Sequence, residues 1–225
     1  MTTETPLQIA IVGGHGQIAR LLTTTLVGRG HSVRSLVRSE DQFDDIRADG
    51  GDPVVCDVEV ADISEIETVF SASDVVVFAA GSGPDAGPDR KWSMDRDGAL
   101  KSMDAAVRVA ASRFVIISSM GADDPPQDDE TFSVYLRAKH EADEGVRAAS
   151  ERNDIGHVIV RPGQLTDDDA TGSVQVAEHT GSGKIPRADV AHVLAEIIDS
   201  GLGDGHTFEV ISGSTPIVDA LSALD

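Results

Sequence analysis

Residues 9–19 read Ile9-Ala10-Ile11-Val12-Gly13-Gly14-His15-Gly16-Gln17-Ile18-Ala19. A short apolar run ends in a glycine pair. The segment that follows, Gln17–Val27, carries Ile18, Leu21, Leu22 and Leu26 at helical spacing. A strand therefore turns straight into an amphipathic helix. In the spacing Gly13-x-x-Gly16-x-x-Ala19 each small residue has a task. Gly13 allows the tight turn, Gly16 lets the backbone approach a pyrophosphate, and Ala19 lets helix and strand pack closely. The helix N-terminus offers free N–H groups and a positive dipole end to phosphates. Gly13, Gly14, His15, Gly16, Gln17 and Ile18 are the expected phosphate-side residues. A plain strand–helix turn is the alternative reading, and an exposed loop position is the alternative for His15.

Outward from this turn, strand and helix alternate. Leu7–Val12, Ser32–Val37, Val54–Cys56, Asp74–Ala80, Phe114–Ile117, His157–Val160 and Thr207–Ile211 read as strands. Gln17–Val27, Asp41–Ala48, Ile63–Phe70, Asp97–Ala111, Val134–Ala149, Val190–Ile198 and Ile217–Leu224 read as helices. Arg161-Pro162-Gly163 is expected to open a loop. Strands separated by helices predict an α/β Rossmann fold, a doubly wound parallel sheet in three α/β/α layers. No repeat or linker interrupts the pattern, so residues 1–225 are expected to form one domain, with a small C-terminal elaboration from about residue 162.

The 225 residues hold 39 Asp and Glu against 18 Lys and Arg, for a net charge of −21. Such a surface repels phosphate backbones and anionic membranes, so neither nucleic acid nor membrane is an expected partner. Charge spread over the chain rather than gathered in a tail points to a salt-loving, haloarchaeal cytosol. The alternative is an ordinary acidic protein. The single cysteine, Cys56, excludes an internal disulfide and a cysteine-built zinc site, and no metal is expected. Cys56 reads as a buried structural thiol. Met1–Pro6 has no signal-peptide core, and no apolar run is long enough to span a bilayer. The expectation is a soluble cytoplasmic protein, monomeric or homodimeric, that takes a small-molecule substrate.

The end of the second strand bears on the choice of cofactor. Folds that bind NAD put an acidic residue there for the ribose hydroxyls. Here Val37-Arg38-Ser39 stands instead. A guanidinium matches a 2′-phosphate bidentately, and Ser39 adds a hydroxyl donor, so NADP is favoured over NAD. The alternative is a surface Arg38 paired with Glu40 or Asp41. Asp57 and Val58 follow the third strand, where an adenine would lie. Ala79, Ala80 and Gly81 end the fourth, where small residues let a cofactor pass.

Ser118 and Ser119 end the fifth strand. Tyr135, the only tyrosine, precedes Lys139 by four residues, which on a helix places both side chains on one face. The ammonium would stabilise a phenolate and lower the tyrosine pKa toward the working pH. Tyr135 would then exchange a proton with a substrate oxygen while hydride moves at a nicotinamide. Lys139 would also hold the nicotinamide ribose. Ser119 would hydrogen-bond the reacting oxygen, with Ser118 as the fallback. A packed interfacial tyrosine beside a solvated lysine is the alternative.

These residues together resemble an atypical short-chain dehydrogenase/reductase, in the small NAD(P)-binding branch near NmrA-like and biliverdin reductase B-like proteins. The resemblance is carried by Gly13-Gly14-His15-Gly16-Gln17-Ile18, Val37-Arg38, Ala79-Ala80-Gly81, Ser118-Ser119 and Tyr135-Leu136-Arg137-Ala138-Lys139-His140. It continues through Val160-Arg161-Pro162-Gly163 and Ile185-Pro186-Arg187-Ala188-Asp189-Val190-Ala191. It implies that Pro162, Gly163 and Leu165 lie beside the nicotinamide. It also implies an NAD(P)-dependent oxidoreductase acting on a small carbonyl compound, quinone or flavin. Two other readings stand beside it, a sugar-nucleotide epimerase or dehydratase and a non-catalytic NADP-binding redox sensor. Loops Ser82–Trp92, Gly121–Phe132 and Gln164–Val176 are expected to frame the mouth, with Trp92 as a lid or a packing residue. Asp123, Asp124, Asp128, Asp129, Glu130, Asp167, Asp168 and Asp169 in these loops are read mainly as surface acidity. If they face the site, they disfavour a strongly anionic substrate.

Overall fold

The computed structural model describes residues 6–224. Strands β1 (Gln8–Val12), β2 (Ser32–Val37), β3 (Asp52–Val55), β4 (Val75–Phe78), β5 (Arg113–Ile117), β6 (Gly156–Pro162) and β10 (Thr207–Ser212) pair in parallel. Two further strands, β8 (Ser173–Ala177) and β11 (Thr215–Pro216), extend the sheet beyond β10 by antiparallel pairing. The order is β11-β8-β10-β6-β5-β4-β1-β2-β3. Its β3-β2-β1-β4-β5-β6 stretch is the Rossmann order, with the topological switch between β1 and β4.

The two faces of the sheet follow from strand alternation. Ile9, Ile11, Val75 and Val77 point into one core with Leu22 and Leu26 of α1 (Gln17–Gly28), and that core also takes α7 (Arg187–Ser200) and α8 (Ile217–Ser222). Ala10, Val12, Val76 and Phe78 point into the other. There they meet α3 (Ile63–Phe70), α5 (Ala99–Arg108) and α6 (Thr131–Asn153). With helices on both faces, the doubly wound expectation holds. Its all-parallel form does not, because β8 and β11 take residues assigned to loops. Helix α2 (Phe43–Ala48) links β2 to β3.

Three of the boundaries that move bear on the site. The helix expected at Asp97 begins nine positions earlier, as α4 (Pro88–Arg90) and π-helical turns over Lys91–Gly98 that run on into α5. Arg161 and Pro162 belong to β6 rather than to a loop. Gln164–Thr166 forms β7, paired with β9 (Lys184–Pro186) in a small second sheet. These pairings are non-local, which is why no short-range periodicity announces them. No helix among the described residues is long and apolar enough to cross a membrane.

Candidate active site

The β1–α1 turn owes its shape to three glycines. Gly13 has a φ of +77°, a conformation that disfavours any side chain, and a Cβ on it would stand 2.6 Å from Ala80 Cα. A Cβ on Gly14 would stand 2.5 Å from Ser35 Cβ. Gly16 donates its N–H to the Gly13 carbonyl at 2.9 Å and is the N-cap of α1, whose first N–H groups no side chain caps. The turn therefore sits flush against the ends of β2 and β4 as bare backbone. It borders a hollow of about 220 Å³ that includes Gly13, His15, Gly16, Arg38, Cys56, Asp57, Val58 and Ala79–Gly81 in its lining. Free amide donors, a positive helix end and no room for a Cβ fit a diphosphate.

Along this hollow, Arg38 is exposed, and its backbone N–H donates to Gln42 at 3.1 Å. Its guanidinium pairs with neither Glu40 nor Asp41. Ser39 donates its hydroxyl to Asp41 and so is not the free donor expected of it. Both ring nitrogens of His15 are already engaged, by Asp45 at 2.7 Å and Gln42 at 3.2 Å. His15 and Arg20 hold the Asp45 carboxyl below its usual range. Asp57 accepts the Glu59 N–H at 3.0 Å and shapes the turn after β3. Cys56 is half-buried and borders the hollow, which corrects its reading as a buried structural thiol; burial pushes the thiol up. Sequence reasoning missed Glu59, whose Oε2 takes two hydrogen bonds from Arg90, at 3.0 and 2.7 Å, and whose Oε1 takes Ser93 Oγ at 2.8 Å. Burial works to raise that carboxyl, and Arg90 and Ser93 overcome it and keep it low.

At Ala79–Gly81 the hollow meets a second, mainly apolar cavity of about 570 Å³. Ser118, Ser119, Tyr135, Lys139, Pro162, Gly163 and Leu165 all line it, and so does Ile18, which was expected on the phosphate side. Phe132, 63% exposed, stacks on Tyr135 with ring centroids 5.8 Å apart. Lys139 Nζ lies 5.8 Å from the Tyr135 ring centroid and donates to the Ile117 carbonyl at 3.0 Å.

Four charged residues that the sequence reading did not place in the site stand at or behind this cavity, and of these Lys91 and Asp95 line it. From the π-helical turns, Asp95 reaches within 3.5 Å of Lys139 Nζ. Its other oxygen accepts from the Ser82 hydroxyl at 2.5 Å. From the same turns, Lys91 Nζ lies 5.5 Å from the Tyr135 ring and donates to the Gly83 carbonyl at 2.6 Å. One turn past Lys139, Asp143 accepts Ser118 Oγ at 2.8 Å and two hydrogen bonds from Arg161, at 3.0 and 2.9 Å. Ser118, expected as the fallback donor, thus gives its hydroxyl proton to Asp143. The spacing of Asp143 from Lys139 was a usable signal. Lys91 and Asp95 precede the Asp97–Ala111 segment whose apolar spacing marks a helix.

The acidity of Tyr135 runs against the sequence expectation. Burial raises its pKa, Lys139 lowers it, and the net position is above the ordinary value of 10.0. For Lys139 burial works downward, but Tyr135, Asp95 and Asp143 win and raise it. Burial also pushes the Asp143 carboxyl up, against the pull of Arg161 and Ser118. Trp92 lines neither cavity; Arg96 covers its ring at 4.7 Å, so it is not a lid. None of the acidic residues of the 123–130 and 167–169 segments lines either cavity. Outside both, Asp123, His179 and Glu209 bring ligand-type atoms within 4.8 Å of one another.

Comparison with known proteins agrees with this geometry. Residues 13–201 match the family described as NAD(P)H-binding. An uncharacterized sugar epimerase of Bacillus subtilis, YhfK, is 32% identical over 97% of this chain and 100% of its own length. A solved structure from Bacillus halodurans, provisionally named an NAD-dependent epimerase/dehydratase, is 37% identical. It covers 97% of this chain and 100% of its own, with a TM-score of 0.88. The oxidoreductase ylbE from Lactococcus lactis, at 24% identity, bears on the fold alone: its TM-score is 0.83 over 97% of this chain and 96% of its own. The chain belongs to the NAD(P)H-binding family of Rossmann-type proteins, within the atypical short-chain dehydrogenase/reductase group.

Proposed function

We propose that the protein is an NADP-dependent reductase of a small carbonyl compound, quinone or flavin, with Tyr135 as its proton donor. The carrying observation is the placement of Tyr135, half-buried beside the Lys139 ammonium, on a mainly apolar cavity that opens from the phosphate turn. The α1 amides and the Gly13–Gly16 turn would hold the diphosphate, and Arg38 the 2′-phosphate. Lys139, Pro162, Gly163 and Leu165 would border the nicotinamide end. Bound there, the reduced cofactor supplies a hydride.

The chain's own residues manage the proton. With burial raising its pKa above the ordinary 10.0, the Tyr135 phenol stays protonated near neutral pH, which suits a donor. As a substrate oxygen gains negative charge, Tyr135 gives it that proton. Lys139 stabilises the phenolate left behind, and Ser119 hydrogen-bonds the reacting oxygen. For a carbonyl substrate the balance is one hydride to carbon, one proton to oxygen, and one proton returned to Tyr135 from solvent.

NADPH titration followed by turnover on a carbonyl, quinone and flavin panel tests this. Tyr135→Phe should lose about 10²–10⁴-fold in rate while keeping cofactor affinity. Arg38→Ala should weaken NADPH binding about tenfold or more and leave NADH binding unchanged. Cofactor binding without turnover on the whole panel would instead mark a sensor. A second reading follows from the sugar-epimerase name of the Bacillus subtilis relative, because a Tyr–Lys pair that gives a proton can also take one. It requires a nucleotide sugar to be converted with no net change in cofactor redox state.

A further inference from the structure

Lys91 is 4% exposed, yet it lines the second cavity. Its polar partner is a single neutral group, the Gly83 carbonyl at 2.6 Å. No carboxylate oxygen among the described residues comes within ion-pair distance of its Nζ. The two carboxylates buried near the cavity are held by other groups, each through hydrogen bonds to one oxygen, and Asp95 Oδ1 and Asp143 Oδ1 accept none. Asp95 faces Lys139 at 3.5 Å and Ser82, while Asp143 is closed on Arg161 and Ser118. The cavity wall thus carries two ammonium groups against one carboxylate available to them. In a chain with 39 acidic and only 18 basic residues, this is a local inversion of charge.

An ammonium taken out of water without a counter-ion is costly, and proteins pair such charges or use them. The Tyr135 ring, 5.5 Å from Nζ, offers a cation–π contact, but a neutral ring does not cancel a charge. The π-helical geometry of Lys91–Gly98 adds a second sign, because π-turns are rare and frequently stand at functional sites. Here they turn Lys91 and Asp95 inward, opposite Tyr135 and Lys139.

We propose that Lys91 is the substrate's carboxylate anchor, and that the site takes oxo acids whose carbonyl lies within a few bonds of the carboxylate. The short spacing follows from geometry, since Lys91 and Lys139 both stand within 6 Å of the same phenol ring. The apolar lining and the exposed ring of Phe132 suit an apolar, flat body on the acid. The location of the carbonyl rests on the proposed proton-donor role of Tyr135; the carboxylate preference of Lys91 does not.

Two arms separate these. In the first, calorimetry measures binding of phenylacetate and of its neutral analogue phenylacetamide to the NADP-loaded protein. Wild type should prefer the acid by on the order of 100-fold. Lys91→Met should abolish the preference, and Lys91→Arg should retain most of it. Because Lys91→Met removes an unmatched buried charge, it should also raise the ligand-free Tm, which loss of a merely structural residue would not do. Equal affinity of wild type for acid and amide, or an unchanged preference in Lys91→Met, overturns the proposal. In the second arm, NADPH oxidation is followed with phenylpyruvate and with its methyl ester. An acid-to-ester ratio of kcat/KM that collapses in Lys91→Met supports the anchor, and a ratio the variant leaves unchanged refutes it. If neither compound is reduced, the reductase reading fails with these substrates, and the calorimetric arm still decides the role of Lys91.

Discussion

Replacing Gly13 by alanine tests the phosphate turn in a way that separates conformation from contact. Two penalties add at this position. A left-handed φ of +77° costs an alanine about 1–2 kcal/mol. The new Cβ would also meet the Ala80 backbone, with Cα at 2.6 Å and N at 2.8 Å, where no side-chain rotation relieves the clash. Overpacking of this kind costs about 1–3 kcal/mol. The sum is roughly 2–5 kcal/mol, and at about 2–4 °C per kcal/mol for a chain of this size Tm should fall by roughly 5–20 °C. Gly30 is the control. Its φ of +93° carries the same strain, but a Cβ there meets nothing within 4 Å. Gly30→Ala should therefore lose only about 1–2 kcal/mol and keep its affinity for NADPH. Thermal denaturation and NADPH titration of both variants check this. If Gly13→Ala loses no more Tm than Gly30→Ala and binds cofactor normally, the close approach of the β1 turn to the end of β4 is not what shapes the site.

Three further outcomes follow. Because the folded-state pKa of Tyr135 lies above 10.0, its donor form is complete at neutral pH and is lost only as pH rises through that higher value. The reductive rate should thus show no Tyr135-dependent basic limb near pH 7, and such a limb, absent from Tyr135→Phe, would contradict the raised pKa. Arg161→Leu leaves Asp143 buried without its ion pair and should cost about 3–5 kcal/mol at neutral pH. A buried carboxylate whose folded pKa is raised gains stability as pH falls through that pKa, so the loss in urea denaturation should shrink toward acid. Arg161→Leu combined with Asp143→Leu should recover most of it; no recovery would show that the ion pair is not the cause. The net charge of −21 predicts that Tm rises with KCl up to about 1 M, where the Debye length falls to about 3 Å, and a flat response would remove the halophilic reading.

The sequence by itself settled whatever depends on near neighbours along the chain. Val12 to Ala19 encode a strand, a turn and a helix start, because apolar spacing and missing side chains act within a few residues. The four-residue step from Tyr135 to Lys139 already put both on one helix face. The doubly wound sheet was implied as well, since alternating strands and helices leave few ways to wind one.

Only the tertiary structure brought Lys91 and Asp95 against Tyr135 and Lys139, through π-helical turns that polar spacing did not reveal. It also set Arg161 on Asp143 across two elements, and paired β8 antiparallel to β10. It reversed the expected acidity of Tyr135 as well. The spacing to Lys139 speaks for a lowered pKa, but burial outweighs it, and burial is a sum over every element packed around the phenol. Desolvation and long-range pairing have no period along the chain, so they become visible only when distant segments meet.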